Sequence, residues 1–259
     1  MMEHIAITIN EKGVALLELN RPQVLNALSQ PLLREMITAL QELGANPEVK
    51  ALIITGRGKG FCAGADLTAV TEPPGAGIDM GKQVSDRMAA TFNPMMKLLY
   101  TFPRPVVSAI NGIAAGGGAG IALCADIVLA AHSSALKVVQ VPQLGIAADL
   151  GANWLLSRII GRSRALGACL TGTTIKPEQL MAWGLAWECV DDQLLLGRAH
   201  EIASQLAGVP AATVIATRSL VDRAPASSFE ASIEEERQHQ EQLCNAPFFT
   251  DSVASFLQR

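Results

Sequence analysis

Residues 105–120 read Pro-Val-Val-Ser-Ala-Ile-Asn-Gly-Ile-Ala-Ala-Gly-Gly-Gly-Ala-Gly. The apolar run at 106–110 has the length of a buried strand, and the proline before it is typical of a strand entry. The loop at 111–118 that follows is rich in glycine and leads into a helix. A strand, a glycine-rich turn and a helix in this order indicate an α/β protein.

The rest of the N-terminal half repeats this alternation. Two apolar runs, 5–9 and 14–19, are separated by four turn-forming residues and predict a β-hairpin. Ser29 caps a predicted helix that has Pro31 in its first turn and Gly44 at its end. The other predicted elements are strands at 51–55 and 127–130, a helix at about 79–99 and a Pro/Gly-rich loop at 72–77. Strands that alternate with helices favour an α/β fold of right-handed β/α units.

Helical patterns predominate from about residue 151 onward, with helices predicted at 193–206, 211–221 and 228–243. No shift in composition marks a second domain. We therefore predict a core at 1–195 and a helical region at 196–259 that is not an independent domain. This region carries apolar side chains that a monomer could not easily cover, which predicts an oligomer. They are Phe229, Ile233, Phe248, Phe249 and Phe256.

The composition excludes several classes of protein. Of the 259 residues, 49% are hydrophobic and 17% charged, which is typical of a globular chain rather than a disordered one. The net charge of −4 and the lack of a basic run argue against binding to nucleic acid or to an anionic membrane. The apolar segment 112–131 resembles a membrane span, but its five glycines and Asp126 favour a buried turn.

Cysteine usage and the N-terminus indicate a reducing, cytoplasmic-type compartment. The five cysteines are widely spaced without a CxxC pair, so neither a disulfide framework nor a zinc cluster is predicted. The N-terminus lacks the basic and apolar regions of a signal peptide. We therefore expect a cytoplasmic protein.

Two glycine-rich turns could bind an anion. They span 56–66 (Gly-Arg-Gly-Lys-Gly-Phe-Cys-Ala-Gly-Ala-Asp) and 111–120, and each follows a predicted strand. Glycine lets backbone N–H groups approach a ligand, and the start of a helix adds a positive dipole end. Close packing of a helix on a strand needs the same glycines, so a packing role stays open. Neither turn matches a nucleotide-phosphate motif.

Other kinds of catalytic site find no support in the sequence. There is no GxSxG or HExxH pattern, and the four histidines lie outside both turns. Cys62 lies in the first turn, but no nearby histidine or cationic cluster would lower its pKa, so we expect it to pack rather than react. Neither a metal site nor a serine triad is predicted.

Four groups of residues carry a resemblance to a known family. They are Arg21-Pro22 with Asn26-Ala27-Leu28-Ser29, then Phe61 to Leu67, then Pro105 to Gly118, and finally Ala125-Asp126-Ile127. In this order they resemble the enoyl-CoA hydratase/isomerase (crotonase) superfamily over nearly the whole chain. The resemblance implies an α/β spiral of ββα units with C-terminal helices that form trimers, often paired into hexamers. It also implies that the substrates are acyl-CoA thioesters.

In this family two backbone N–H groups hold the thioester oxygen as it gains enolate charge. By the resemblance these groups map to Ala63 and Gly117. The positions implied to contact the substrate or its coenzyme A part are Ala63, Gly64, Ala65, Asp66, Leu67, Gly117, Gly120 and Val141. Asp66 could also cap the helix that follows it. No metal or redox cofactor is expected, because coenzyme A is part of the substrate.

The chain departs from the family at the two positions where hydratases carry glutamate. These map to Gly120 and Val141, and a gap that moved the second to Gln143 would not restore a carboxylate. Because syn addition of water needs a base and an acid, a chain that lacks both is a poor hydratase candidate. A glutamate introduced at position 120 is expected to give weak hydration at most.

One carboxylate remains in this part of the chain, Asp149 in the segment 144–151. The segment resembles isomerase branches of the family, notably the ring-opening isomerases of aerobic phenylacetate breakdown, in which an aspartate at this place transfers the proton. A single base between apolar walls suffices for a 1,3-proton shift, and burial raises its pKa toward a useful range. Asp149 could instead cap the helix that begins near Gly151.

The sequence therefore predicts an acyl-CoA isomerase with Asp149 as the acid/base, in aromatic or fatty acid degradation. Two alternatives stay open: an enoyl-CoA hydratase, which is a lyase, and a catalytically silent subunit that binds coenzyme A. Asp126 is expected to tie a helix to a strand rather than to act as an acid. His132 and Tyr100 receive no role, and the acyl group is not predicted.

Overall fold

Short strands and helices alternate along the chain in the computed structural model, which describes residues 2–69 and 79–258. The strands are β1 (Ile5–Ile9), β2 (Val14–Leu19), β3 (Ala51–Gly56), β4 (Gly60–Cys62), β5 (Val106–Ile110), β6 (Ile113–Ala115), β7 (Ile127–Ala131), β8 (Ala135–Lys137), β9 (Thr174–Ile175) and β10 (Glu188–Val190). The Pro/Gly-rich loop predicted at 72–77 lies outside the described residues.

The helices confirm most of the predicted ones. They are α1 (Gln30–Ala45), α2 (Met80–Arg87), α3 (Asn93–Tyr100), α4 (Gly117–Leu123), α5 (Gln140–Leu144), α6 (Ala152–Thr171), α7 (Pro177–Ala182), α8 (Leu195–Leu206), α9 (Ala211–Arg223), α10 (Phe229–Leu243) and α11 (Pro247–Leu257). Ser29 caps α1 as predicted, since its Oγ accepts from the Leu32 N–H at 3.4 Å. The helix predicted at about 79–99 consists of α2 and α3, joined by a π-helical turn at Met88–Phe92.

The main sheet has the strand order β1-β2-β3-β5-β7-β10. The predicted hairpin is confirmed, because β1 and β2 pair antiparallel with Ile5 opposite Leu19. From β2 to β10 every pairing is parallel. Strand β10 was not predicted, because its three residues, Glu-Cys-Val, are too few to show a periodic pattern.

A second sheet, with the order β4-β6-β8-β9, corrects the prediction for both glycine-rich turns. Residues 56–60 were expected to end a strand and 111–118 to form a loop. Instead β4 and β6 form within these two turns and pair in parallel, with Gly60 opposite Ile113. Strands of three residues are too short to show a periodic pattern, so they are defined by their pairing and not by a local signal. The pairing brings the two turns side by side.

The main sheet is buried on both faces, as expected of a largely parallel sheet. Along β3, Leu52 and Ile54 belong to the large core with α1, α3 and α4, whereas Ala51 and Ile53 pack in a smaller cluster with α8. Full burial of each such aliphatic side chain contributes about 1.5–3 kcal/mol to folding. The two clusters fix the sheet edge from which the glycine-rich turns emerge.

The boundary predicted at 195/196 coincides with the start of α8, whose residues Ala199, Ile202 and Ala203 are buried against the sheet. Helix α8 therefore belongs to the core, and the loosely packed helical region begins at α9. In α9 only Ala216 is buried, and in α10 and α11 no residue of the described part is. The aromatic side chains predicted to lie in an interface are exposed, Phe229 at 74% and Phe256 at 77%.

Among the described residues, each helix is either too short or not apolar enough to cross a membrane. The apolar segment 112–131 forms β6, α4 and β7, so the prediction of a buried turn is confirmed.

Candidate active site

A buried asparagine fixes the loop 21–28 against the first glycine-rich turn. Asn26 is fully buried, and its Nδ2 donates to the carbonyls of Arg57 at 3.0 Å and Gly60 at 2.8 Å. Its Oδ1 accepts from the Arg21 N–H at 2.8 Å. Asn26 has a φ of +58°, in the left-handed region that asparagine tolerates better than most residues. The asparagine of the Asn-Ala-Leu motif thus holds the turn in place.

Leu28 forms a parallel bridge with Ala65 in the same turn. The Leu28 N–H donates to the Gly64 carbonyl at 2.7 Å, and the Leu28 carbonyl accepts from the Asp66 N–H at 3.1 Å. Because these two bonds flank Ala65, its own N–H points away from Leu28. Within the described ranges no residue accepts a hydrogen bond from the Ala65 N–H.

The prediction that the Ala63 N–H is an oxyanion donor is wrong, because this N–H donates to the Leu25 carbonyl at 2.9 Å. In a regular extended segment the amides of residues 63 and 65 would face the same side. Gly64 interrupts that alternation with a φ of +93°. The free N–H that this turn leaves for a ligand is therefore that of Ala65, which was predicted only to contact the substrate or its coenzyme A part.

The second turn presents the start of α4. The Gly116 N–H donates to the Lys137 carbonyl at 2.9 Å, and Gly116 has a φ of +53°. Gly117 begins the helix, and its N–H has no acceptor among the described residues, as is usual at a helix start. The structure thus agrees with Gly117 as a donor to a ligand.

The two turns touch at Gly64. A Cβ on Gly64 would lie 2.8 Å from the Ala115 oxygen and 3.2 Å from the Gly117 nitrogen. Only glycine allows this approach. The contact places the free amides of Ala65 and Gly117 on adjacent backbone segments, which is the arrangement a pair of oxyanion donors needs.

Asp66 forms bonds that stabilise the first turn. Its Oδ2 pairs with Arg21 at 2.8 Å, and its Oδ1 accepts from the Thr68 N–H at 3.2 Å and from the Thr68 hydroxyl at 2.6 Å. The Thr68 hydroxyl, and after it Arg21, lower the pKa of Asp66 below its usual range despite partial burial. The predicted capping role is confirmed, although the turn that follows, Leu67–Ala69, is a 3-10 helix.

Asp149 is partly buried, in the segment that connects α5 to α6. Its Oδ1 accepts from the Gln140 Nε2 at 2.9 Å. Burial raises the pKa of its carboxyl, while the hydrogen bonds from Gln140 and from its own amide act in the opposite direction. The alternative that Asp149 caps α6 is wrong, because Gly151 holds the cap position and no side chain bonds there.

Leu150 determines how this segment meets the second turn. Leu150 and Gly151 both have positive φ, +48° and +77°, which turns the chain sharply after Asp149. The Leu150 side chain lies over Gly117, where a Cβ would be 3.1 Å from its Cδ2. The Leu150 carbonyl covers Gly120, where a Cβ would be 2.2 Å from the oxygen. Asp149 is thus held between Gln140 and Leu150.

The two positions that lack the hydratase carboxylates lie in different surroundings. Gly120 is buried in α4 under Leu150, whereas Val141 is partly buried in α5. Gln143 is exposed on α5. For Gly120 and Val141, contact with substrate or coenzyme A remains a prediction, as it does for Gly64, Ala65, Asp66 and the exposed Leu67.

Asp126 is structural, as predicted, but it joins β7 to β5 and to α9 rather than the preceding helix α4 to a strand. Its Oδ2 accepts from the Val106 N–H at 2.7 Å, which ties β7 to the start of β5. Arg218 of α9 contacts both carboxylate oxygens at 2.5 Å and also donates to the carbonyls of Phe102 and Arg104. Asp126 and Arg218 therefore hold α9 on the core.

Cys62 is fully buried, and burial raises the pKa of its thiol to about 12, with the Gly64 amide lowering it only in part. The thiolate is therefore not formed near neutral pH, and the predicted packing role is confirmed. In the described ranges no group of three or more His, Cys, Asp or Glu side chains could hold a metal ion.

A cavity of about 910 Å³ lies at the other end of α4, between α6 and α9, and includes none of Ala65, Gly117 and Asp149. Tyr100 lies in its wall, donates to Asp222 and meets Trp154 edge to face with ring centroids 5.5 Å apart. Burial and the Asp222 carboxylate raise the pKa of Tyr100. The volume of a cavity alone therefore does not identify the reaction site.

The family to which the chain belongs agrees with the one that the two glycine-rich turns and Asp149 had indicated. Over residues 9–259 it matches the enoyl-CoA hydratase/isomerase family, to which it belongs. A crystal structure of enoyl-CoA hydratase from Bacillus anthracis has a TM-score of 0.89 at 29% identity, covering 99% of this chain and 96% of that one. The predicted crotonase fold is thereby confirmed.

Relatives that are named for other reactions have sequence identities as high as that of the hydratase. A protein of Escherichia coli named 1,2-epoxyphenylacetyl-CoA isomerase is 35% identical over 258 residues, which are 99% of this chain and 96% of that protein. This match agrees with the predicted resemblance to the phenylacetate branch. The 4-chlorobenzoyl coenzyme A dehalogenase-2 of an Arthrobacter species is 29% identical, covering 98% of this chain and 90% of that protein. Family membership by itself therefore leaves the reaction open.

Proposed function

We propose that this member of the family is an acyl-CoA isomerase that moves a double bond by a 1,3-proton shift. The observation that carries the proposal is the environment of Asp149. It is a partly buried carboxylate with a raised pKa, and its neighbour Leu150 and its partner Gln140 both pack on the turn that presents the Gly117 amide. A raised pKa brings a carboxylate closer to the range in which it can both take and return a proton.

The first step needs stabilisation of an enolate. With the thioester oxygen at the N–H groups of Ala65 and Gly117, charge that moves from the α-carbon onto that oxygen meets two fixed donors. Each donor of this kind contributes about 3 kcal/mol to transition-state stabilisation. Because the donors are backbone groups, they bind the thioester regardless of what happens at Asp149.

One base serves both steps, because removal of the proton forms the enolate and its return ends the reaction. Asp149 removes a proton from the carbon next to the thioester and returns it to the carbon two positions away, which moves the double bond between them. Hydration would need a second carboxylate to activate water, and Gly120 and Val141 cannot supply one. The absence of both groups favours isomerisation over hydration.

One relative supports a class of substrate. The similarity to the Escherichia coli protein, whose name specifies 1,2-epoxyphenylacetyl-CoA, supports an acyl group from aromatic degradation, with straight-chain enoyl groups as the alternative. We further propose a cytoplasmic homotrimer or hexamer that needs no metal or redox cofactor. The exposed aromatic residues of α10 and α11 support the oligomer.

The test is to incubate the purified protein separately with a 3-enoyl-CoA, a 2-enoyl-CoA and the epoxide of phenylacetyl-CoA. We expect double-bond migration or ring rearrangement and little hydration. Efficient hydration of the 2-enoyl-CoA without isomerisation would identify a hydratase instead. Binding of all three thioesters without turnover would identify a silent subunit that binds coenzyme A.

A further inference from the structure

The side-chain amide of Gln140 makes a direct contact with the Asp149 carboxylate. Gln140 is the first residue of α5 and is only 4% exposed. Its Nε2 donates to Asp149 Oδ1 at 2.9 Å. Asp149 Oδ2 accepts no hydrogen bond from any other residue in the described part of the chain. One carboxylate oxygen is therefore held while the other is left for a reacting proton.

Gln140 also lies against the turn that carries the Gly117 amide. A Cβ on Gly116 would be 3.7 Å from Gln140 Nε2 and 3.8 Å from its Cδ, which is ordinary van der Waals contact. The main chain of Gln140 is fixed too, because its carbonyl accepts from the Ile146 N–H at 3.4 Å. The amide thus bridges the second glycine-rich turn and Asp149.

The other amide atom, Gln140 Oε1, is buried and has no hydrogen-bond partner among the described residues. An unpartnered buried acceptor destabilises the folded state, whereas an apolar side chain of similar size would fill the same space without that cost. Packing therefore does not explain a glutamine at this position. The bond to Asp149 is the interaction that an apolar residue could not provide.

We propose that Gln140 is a positioning residue, which holds Asp149 Oδ1 so that Oδ2 faces the substrate and handles the proton in both directions. This inference rests on the proposed function, because Asp149 has a proton to move only in such a reaction. No bond is made or broken at Gln140 itself. Its effect is on the orientation and basicity of the neighbouring carboxylate.

The electrostatics of Asp149 agree with this role. Burial raises its pKa, and the Gln140 amide and its own backbone amide lower it, with no charged side chain of the described residues among the causes. Loss of the Gln140 donor should therefore raise the pKa further. Because the base must be ionised to react, the acid limb of the kcat profile should move to higher pH.

The experiment compares Gln140→Met with Gln143→Met, a matched change at an exposed glutamine of the same helix. In Gln140→Met, kcat for isomerisation should fall about 10- to 100-fold with KM little changed. The acid limb should shift upward by about one pH unit, the size expected for loss of a hydrogen bond to a charged group. Gln143→Met should match the wild type in kcat and in the pH of the acid limb.

A second variant and a second readout keep the inference falsifiable. Gln140→Asn withdraws the amide by one methylene and should give the same shift, even if Gln140→Met folds poorly. Infrared titration of the Asp149 carboxyl band, assigned by its loss in Asp149→Asn, measures the pKa without turnover. An unchanged Asp149 pKa in a folded Gln140 variant would overturn the inference. A wild-type protein without isomerase activity would instead overturn the proposed function, and the infrared comparison would still decide the Gln140 contact.

Discussion

The carbonyl oxygen of Leu150 lies 2.2 Å from the point where a Cβ on Gly120 would stand. No real Cβ tolerates that approach, so a side chain at position 120 must displace the backbone next to Asp149. A glutamate at position 120 would meet the same carbonyl, so the weak hydration expected of it would require this displacement of the backbone. The glycine is part of what sets the position of Asp149.

Gly120→Ala should lower the free energy of unfolding by about 1–3 kcal/mol, because the added methyl group overpacks α4 against Leu150. Gly197→Ala is the matched control, since Gly197 is in α8 and a Cβ there meets nothing within 4 Å. It should stabilise the protein by about 0.5–1 kcal/mol, as expected for Gly→Ala within a helix. Urea unfolding measures both, and equal stability of Gly120→Ala and wild type would contradict the packing described.

Replacing single backbone amides by esters separates the roles of Ala63 and Ala65. An ester at Ala65 removes the free N–H and should lower kcat about 10²- to 10³-fold. An ester at Ala63 removes the bond to the Leu25 carbonyl and should cost stability, with turnover near normal. Incorporation of lactate at each position, followed by isomerase assays and thermal unfolding, makes the comparison. The reverse pattern would restore Ala63 as the donor.

Arg218→Met tests the role given to Asp126. The change removes the ion pair with Asp126 and the donors to two backbone carbonyls, which leaves the partly buried carboxylate without its charged partner and with the Val106 N–H as its remaining described donor. We expect a loss of about 2–4 kcal/mol in the free energy of unfolding. Isomerase activity of the folded fraction should be unchanged. A selective loss of kcat with normal stability would instead indicate a part in the reaction.

The raised pKa of Asp149 predicts how its replacement affects stability. Burial disfavours the ionised form, so folding takes up a proton between the unfolded value of 3.8 and the raised folded value. The fold therefore loses stability as the pH rises from 3.8 to the raised folded value, and the loss is constant above it. Asp149→Asn should be more stable than wild type at pH 7, and the difference should vanish below the unfolded pKa. Urea unfolding of both proteins at several pH values measures the difference. An Asp149→Asn variant that is less stable than wild type at pH 7 would instead indicate a lowered pKa of Asp149.

The sequence predicts the larger elements because their signals are local. Ser29 and the apolar face of α1 lie within one helix, and the hairpin is marked by its turn. Strands β4 and β6 escape prediction because three residues carry no period and their pairing joins segments some fifty residues apart. The placement of α8 on the sheet also depends on contacts distant in sequence.

Some residues of the candidate site could likewise be predicted from the sequence, and others could not. Asp149 and Gly117 could be found because the family pattern marks their positions. The distinction between the amides of Ala63 and Ala65 depends on the φ of Gly64, which sequence alone does not give. Gln140 was missed because nothing local distinguishes it from the exposed Gln143 three residues later. Only the tertiary contact with Asp149 separates them.

The most direct test of the account is the comparison of kcat and Kd for a 3-enoyl-CoA in Asp149→Asn and in Asp86→Asn, an exposed aspartate of α2. Asp149→Asn should keep the Kd of the wild type, because the oxyanion donors are backbone groups, and should lose about 10²- to 10⁴-fold in kcat. Asp86→Asn should match the wild type in both. Near-normal isomerase activity in Asp149→Asn would contradict the role of Asp149 as the base.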